Sequence, residues 1–395
     1  MKKKCFFCKK EGDNILYNNI LLCKICINNI VNKYKVKYNK NYKKFKFTSP
    51  KYIKKYLDKY IIGQDKTKKI LSVTIYNHYK KLFYNSNINN IKLEKSNILM
   101  IGNTGTGKTL LAKTISNILD LPFVIVDATV FTEAGYVGED VESILTRLLQ
   151  VSHYNIKLAE KGIVYIDEFD KLSRKSSNPS ITRDVSGEGV QQALLKLFED
   201  TIVYVSPFIG RKHPEQNMIP IKTKNILFIV GGTFEGIENI IKDRIKNNYK
   251  IGYNYLIKNN KQTKKKSNIL KFLTIKDLQE YGIIPEIIGR LPIITYLNDL
   301  KKKDYKNILI KPKNSLIKQY IELFKLDNIK IIIKKSFLNI IVKKTIKLGL
   351  GARGLKNICE NFFQKISYNY IDVYKKEKII KLDKYIVNKF LKINK

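Results

Sequence analysis

Across residues 51–297, short apolar runs alternate with longer segments whose apolar positions recur every three or four residues. The runs at 97–101, 123–126, 162–166 and 226–230 are strand-sized, and 109–119 and 190–198 carry helical spacing. Strands separated in this way by helices predict a parallel sheet covered on both faces. Beyond residue 300 the pattern becomes mostly helical with one strand expected at 329–333, so a smaller α/β lid is expected over 301–395. Lys261, Lys264, Lys265 and Lys266 mark 258–268 as a surface loop with little apolar content. No internal repeat is visible. No apolar stretch approaches the ~20 residues that a membrane helix requires, and no apolar segment of secretory length follows Met1.

A length of 395 residues and a 44% hydrophobic composition suit two or three units, each with its own core. Charge complicates the picture. A net charge of +41, from 75 Lys+Arg against 34 Asp+Glu, would ordinarily suggest nucleic acid or an anionic membrane as partner. The excess is nearly all lysine and is spread along the chain with abundant Asn, Ile and Tyr. That is the pattern of an AT-rich coding sequence, so nucleic acid is not the expected partner. Residues 32–50 are rich in Lys, Tyr and Asn, and no acidic residue falls between Asp13 and Asp58. An aromatic and basic platform for single strands is one reading; a solvated linker is favoured, because like charges resist compaction.

Three groups of residues carry candidate chemistry. Gly102-Asn103-Thr104-Gly105-Thr106-Gly107-Lys108-Thr109 has the P-loop spacing and lies between an expected strand and an expected helix. Glycines allow backbone N–H groups to turn towards phosphate oxygens, and the helix presents its positive end, with Leu110 in its first turn. Lys108 is then placed for the β and γ phosphates and the Thr109 hydroxyl for magnesium. A second apolar run ends in Asp167-Glu168, where Asp167 would hold the metal and Glu168 would orient or deprotonate the attacking water. The third group is Cys5-x2-Cys8 and Cys23-x2-Cys26, separated by fourteen residues, close to a four-cysteine zinc pattern whose usual middle spacing is slightly longer. A unit spanning residues 1–31 has too little core to hold without the ion. Disulfides are the alternative and sit poorly beside a nucleotide-hydrolysing core. Cys359 reads as a plain buried thiol.

Taken together with Gly135-Tyr136-Val137-Gly138-Glu139-Asp140, the run from Arg174 to Leu197, Arg211-Lys212-His213 and Gly351-Ala352-Arg353-Gly354, these motifs resemble the ClpX family of AAA+ unfoldases in unbroken order over nearly the whole chain. The fold class is therefore expected to be an α/β P-loop NTPase with a parallel sheet over 51–297, a smaller mostly helical lid over 301–395, and an N-terminal zinc module. The resemblance implies a homohexamer that uses ATP and magnesium to unfold tagged or unfolded proteins and thread them into a Clp peptidase ring, possibly with adaptors. It implies a soluble protein of the bacterial cytoplasm or an organelle matrix. By the same resemblance Tyr136 and Val137 belong to a substrate-gripping pore loop, Arg183 to a second pore loop, and Arg211, Lys212 and His213 to a basic collar. Arg290 resembles an arginine finger acting on the neighbouring subunit, Arg353 a sensor arginine acting in its own subunit, and Ile61 with Ile62 the segment against adenine. Ile251-Gly252-Tyr253 occupies the place of the peptidase-docking tripeptide, which usually ends in phenylalanine. The chain's end at Lys395 suggests a trimmed tail, and the short Cys8 to Cys23 spacing bears on adaptor binding. Two other readings stand beside this one: a nucleic-acid-stimulated ATPase, and a chaperone working without a peptidase.

Overall fold

The computed structural model describes residues 14–17, 20–23, 49–82, 93–133, 138–173, 187–207, 218–249, 269–370, 379–383 and 385–387. Residues 1–49 and 50–395 cluster as two separate units. In the first, strands β1 (Asn14–Tyr17) and β2 (Ile20–Cys23) pair antiparallel, with Cys23 opposite Asn14.

The second unit opens with α1 (Pro50–Tyr60), where proline at the first helical position has no N–H to leave unpaired. Ile53 and Leu57, one turn apart, form its buried stripe. Helix α2 (Asp65–Leu82) follows and buries Leu71, Ile75 and His78. The Nε2 of His78 has no hydrogen-bond partner among the described residues. Burial, reinforced by repulsion from Lys81, lowers its pKa from 6.5 to about 4. The unfolded chain takes up this proton as pH falls through 6.5, whereas the folded chain resists it down to about 4, so stability is lost as pH falls across that window. We expect the parent to lose about 2 kcal/mol more than His78→Leu between pH 7 and pH 5. Melting temperatures of both proteins at the two pH values check this; equal losses would refute it.

The chain then builds the main sheet. Strand β3 (Ile98–Ile101) leads into α3 (Lys108–Leu119), β4 (Phe123–Asp127), α4 (Ser143–Val151), α5 (Ile156–Ala159) and β5 (Ile163–Asp167). Helix α6 (Glu188–Phe198), the antiparallel pair β6 (Ile202–Val205) and β7 (Ile219–Lys222), and β8 (Leu227–Gly232) come next. Helices α7 (Ile237–Tyr249), α8 (Ile275–Glu280) and α9 (Pro285–Arg290) precede β9 (Ile293–Tyr296). Five strands lie in the order β4-β5-β8-β3-β9, every pair parallel. Strands β3 and β8 are buried throughout, as strands covered by helices on both faces must be. The edge strand β4 alternates buried and exposed positions instead. Edge strand β9 is not singled out by the apolar pattern, because its four residues are mostly half-buried and include Thr295. A hydrophobic core runs from Leu99 and Ile101 through Phe131, Ile166 and Phe228 to Ile287.

A second hydrophobic cluster is built from α10 (Lys302–Ile310), α11 (Leu316–Leu326), β10 (Lys330–Ile333), α12 (Lys335–Leu348), α13 (Gly351–Tyr370) and β11 (Ile379–Leu382). Phe337, Phe362 and Phe363 sit at its centre, with Cys359 fully buried among them. Strands β10 and β11 pair parallel, so the segment nearest the C-terminus closes this cluster.

Candidate nucleotide site

Parallel strands bring their carboxyl ends to one edge of the sheet, where ligands of such folds bind. Strand β3 ends there in the glycine-rich loop, β5 in Asp167, and β8 in Gly232 followed by Thr233. The loop takes its shape from glycine: Gly105 and Gly107 have φ of +73° and +106°, a region that costs other residues about 1–2 kcal/mol. Lys108 is buried, and its Nζ donates to the carbonyls of Gly102 and of Asn103, the latter at 3.3 Å. Burial lowers its pKa, with Asp167 and Asp170 opposing that shift. The Thr109 hydroxyl donates to Asp167 Oδ2 at 2.9 Å. Asp167 Oδ1 accepts from the Tyr165 hydroxyl at 3.2 Å and from the Glu168 N–H at 3.0 Å. Burial, together with the adjacent Asp167 carboxylate, raises the Tyr165 phenol, which stays protonated and donates. Glu168 itself is exposed and has φ of +55°, a left-handed conformation that turns it out of the line of β5.

A cavity of about 620 Å³ joins these groups. Among the residues that line it are the carboxylates Asp167, Glu168, Asp170 and Glu235 and the cations Lys108, Lys171, Arg353 and Lys356. Thr104, Gly105, Gly107, Thr109 and Leu110 of the loop and its following helix complete the lining. A second space of about 330 Å³ lies beside it, against Asn103, Thr106, Asp299, Tyr305 and Gly351. The chemistry fits a magnesium-bound polyphosphate: cations and loop N–H groups for the phosphate oxygens, and a hydroxyl beside a carboxylate for the metal.

Helix α13 reaches the loop directly. The Ala352 N–H donates to the Gly105 carbonyl at 3.2 Å, which brings Arg353 into the cavity wall. At Gly105 an added Cβ would lie 2.8 Å from Ala352 N, and at Gly351, where φ is +59°, 2.6 Å from the Thr104 carbonyl oxygen. The two backbones therefore meet only as glycine against glycine.

Ile61 and Ile62 line neither space; the residue of that segment that reaches the loop is Gln64. Its amide donates to the carbonyls of Asn298 at 2.8 Å and Thr106 at 3.4 Å and accepts from Asn298 N–H. Arg290 also stands apart from the cavity, with its guanidinium on Glu199 at 2.8 Å. Tyr136, Val137, Arg183, Arg211, Lys212, His213, Ile251, Gly252, Tyr253, Cys5, Cys8 and Cys26 lie outside the described residues, as does the loop expected at 258–268. Among the described residues no cluster of His, Cys, Asp and Glu is arranged to hold a metal by itself.

The motifs alone did not single out Asp170 or Thr233. Asp170 is buried, and its two oxygens accept from the Thr233 N–H at 3.0 Å and hydroxyl at 2.8 Å, which locks the end of β8 to the segment after β5. Thr233 had one available signal, since it follows an apolar strand at the edge where ligands bind.

The parallel sheet and the loop-and-carboxylate site define a P-loop ATPase of the AAA class, and the family model for the AAA domain (Cdc48 subfamily) matches residues 93–294. The relatives narrow this further. The ATP-dependent Clp protease ATP-binding subunit ClpX of Bacteroides thetaiotaomicron is 50% identical over 394 residues, covering 97% of this chain and 94% of its own. That of Porphyromonas gingivalis is 51% identical over 348 residues (88% and 84%), and that of Borrelia duttonii 46% over 373 residues (92% and 86%). The chain belongs to the ClpX family.

Proposed function

We propose that this chain is the ATPase subunit of a homohexameric protein unfoldase that threads substrates into a partner Clp peptidase in the cytoplasm. The observation that carries the reading is the cavity where Lys108, the Thr109–Asp167 pair, Glu168 and Arg353 converge from the large and small hydrophobic clusters. Lys108 leaves the loop carbonyls to meet the β and γ phosphates, and Glu168, turned outward by its left-handed backbone, orients and deprotonates the attacking water. Thr109 and Asp167 would hold a magnesium ion, which when bound would supply positive charge to the phosphate oxygens. Arg353 reports nucleotide to the small cluster of its own subunit. Arg290, standing off its own cavity, serves the γ-phosphate of the neighbour.

Tyr136 and Val137 grip the polypeptide, Arg183 and the collar Arg211, Lys212 and His213 receive it, and Ile251, Gly252 and Tyr253 dock the peptidase. Cys5, Cys8, Cys23 and Cys26 supply four thiolates suited to zinc. The division at about residue 300 then separates a large ATPase domain from a lid, and residues 32–50 link the zinc module to them.

ATP-dependent loss of a stably folded, tagged substrate tests the reading. The protein is expected to unfold it with ATP, to degrade it only with the partner peptidase, and to lose both activities in Tyr136→Ala while ATP turnover persists. Substrate pulling left intact in Tyr136→Ala would remove the assigned grip. Hydrolysis stimulated by DNA with a steep salt dependence would favour the nucleic-acid reading instead.

A further inference from the structure

Outside the cavity, a second buried polar cluster surrounds the segment that enters β3. Lys95 lies three residues before that strand, with its side chain only 5% exposed. Its ammonium donates to the carbonyls of Leu197 at 2.9 Å, Glu199 at 2.6 Å and Thr223 at 3.3 Å. Three donors therefore meet three acceptors, two of them at the end of helix α6, where a cation also complements the helix dipole. The Asp200 carboxylate stands 3.8 Å away, and the ammonium lies over the Phe228 ring at 5.4 Å. Two residues further on, Asn97 Nδ2 donates to the Arg290 carbonyl at 3.0 Å and more weakly to the Phe198 carbonyl at 3.5 Å.

Arg290 is thus fixed at both ends. Asn97 holds its backbone. Glu199, the residue whose carbonyl Lys95 holds, accepts from its guanidinium at 2.8 Å. The Arg290 side chain as a whole remains 52% exposed.

We infer that Lys95 is a positioning residue for Arg290: by fixing the end of α6 it fixes Glu199, which aims the guanidinium at ATP bound by the neighbouring subunit. The inference rests on the reading of Arg290 given above. A guanidinium on a long side chain gains catalytic value from being held near its working position, because misplacement by about 1 Å can cost up to 10²-fold. Burial lowers the Lys95 ammonium to about 7, with Asp200 opposing, Lys81 and Arg290 reinforcing, and Glu199 opposing. The full set of acceptors is what keeps so buried a cation in place.

The test separates what a subunit does for itself from what it gives its neighbour. Lys95→Met assemblies are expected to lose about tenfold in kcat for ATP with KM within about twofold, as a displaced transition-state contact predicts. Glu168→Gln subunits lack their own water-activating carboxylate but carry an intact Arg290. Mixed with Lys95→Met subunits, they should raise turnover per Lys95→Met subunit severalfold, because the repaired contact comes from next door. Glu199→Gln, at a half-buried position and nearly the same size as the carboxylate it replaces, should show the same loss and the same rescue, so the inference can be tested even if Lys95→Met folds poorly. Parental kcat in Glu199→Gln would overturn the inference. So would failure of mixing to rescue Lys95→Met while a matched mixture of Arg290→Ala with Glu168→Gln is rescued. If the Arg290→Ala mixture also fails, Arg290 does not act between subunits, and the inference falls with that reading.

Discussion

Glu168→Gln is expected to abolish ATP turnover, by about 10²-fold or more, while leaving ATP bound. Glutamine is nearly the same size and can hydrogen-bond to water but cannot take its proton. Glu168 is exposed, and its backbone rather than its side chain makes the hydrogen bonds to Asp167 and Lys171, so the substitution disturbs no packing. The Thr109–Asp167 hydrogen bond and the loop around Lys108 stay as they are. Lys108→Ala should behave in the opposite way, with ATP binding itself lost, because the buried ammonium is the cation nearest the loop carbonyls. Phosphate release and binding of a fluorescent nucleotide, measured on both variants, distinguish them. Hydrolysis by Glu168→Gln at the parental rate would mean that another group activates the water.

Gly351→Ala should lower ATP turnover by about ten- to a hundredfold although the alanine lies outside the glycine-rich loop and carries no chemistry. The methyl would sit 2.6 Å from the Thr104 carbonyl oxygen and 3.0 Å from Gly105 Cα, both backbone atoms that cannot rotate away. The left-handed φ of +59° adds about 1–2 kcal/mol for any L-residue. Helix α13 must then back off the loop, and Arg353 leaves the cavity with it. Gly349→Ala is the matched control: φ is +67°, but an added Cβ there meets nothing within 4 Å, so it pays the backbone strain without the clash. Equal turnover in the two variants would show that contact between α13 and the loop does not matter.

Much of the sheet and the phosphate loop was legible because both depend on local pattern. Continuous apolar runs ending in glycine or acid are what buried parallel strands require, and β3, β5 and β8 lie within one or two residues of the expected runs. Spacing also assigned Thr109 and Asp167 to one expected magnesium site, and their side chains hydrogen-bond at 2.9 Å. What was not legible depends on contacts between distant residues. Nothing near Asp170 in the chain announces that it clasps Thr233, and nothing near Gly351 announces Gly105. Strand β9 escaped notice because a half-buried edge needs only a weak apolar signal. The segment at Ile61 and Ile62 was expected at the nucleotide, yet the residue that touches the loop is Gln64, whose amide finds backbone partners only once β9 and the loop are in place.

The hydrogen bond between Ala352 and Gly105 places the first turn of a twenty-residue helix against the phosphate loop. Such a rod is about 30 Å long, so a tilt of about 10° at the loop sweeps its far end through about 5 Å. Small adjustments at the loop are thereby geared up into displacements as large as a side chain, delivered at the far end of the helix.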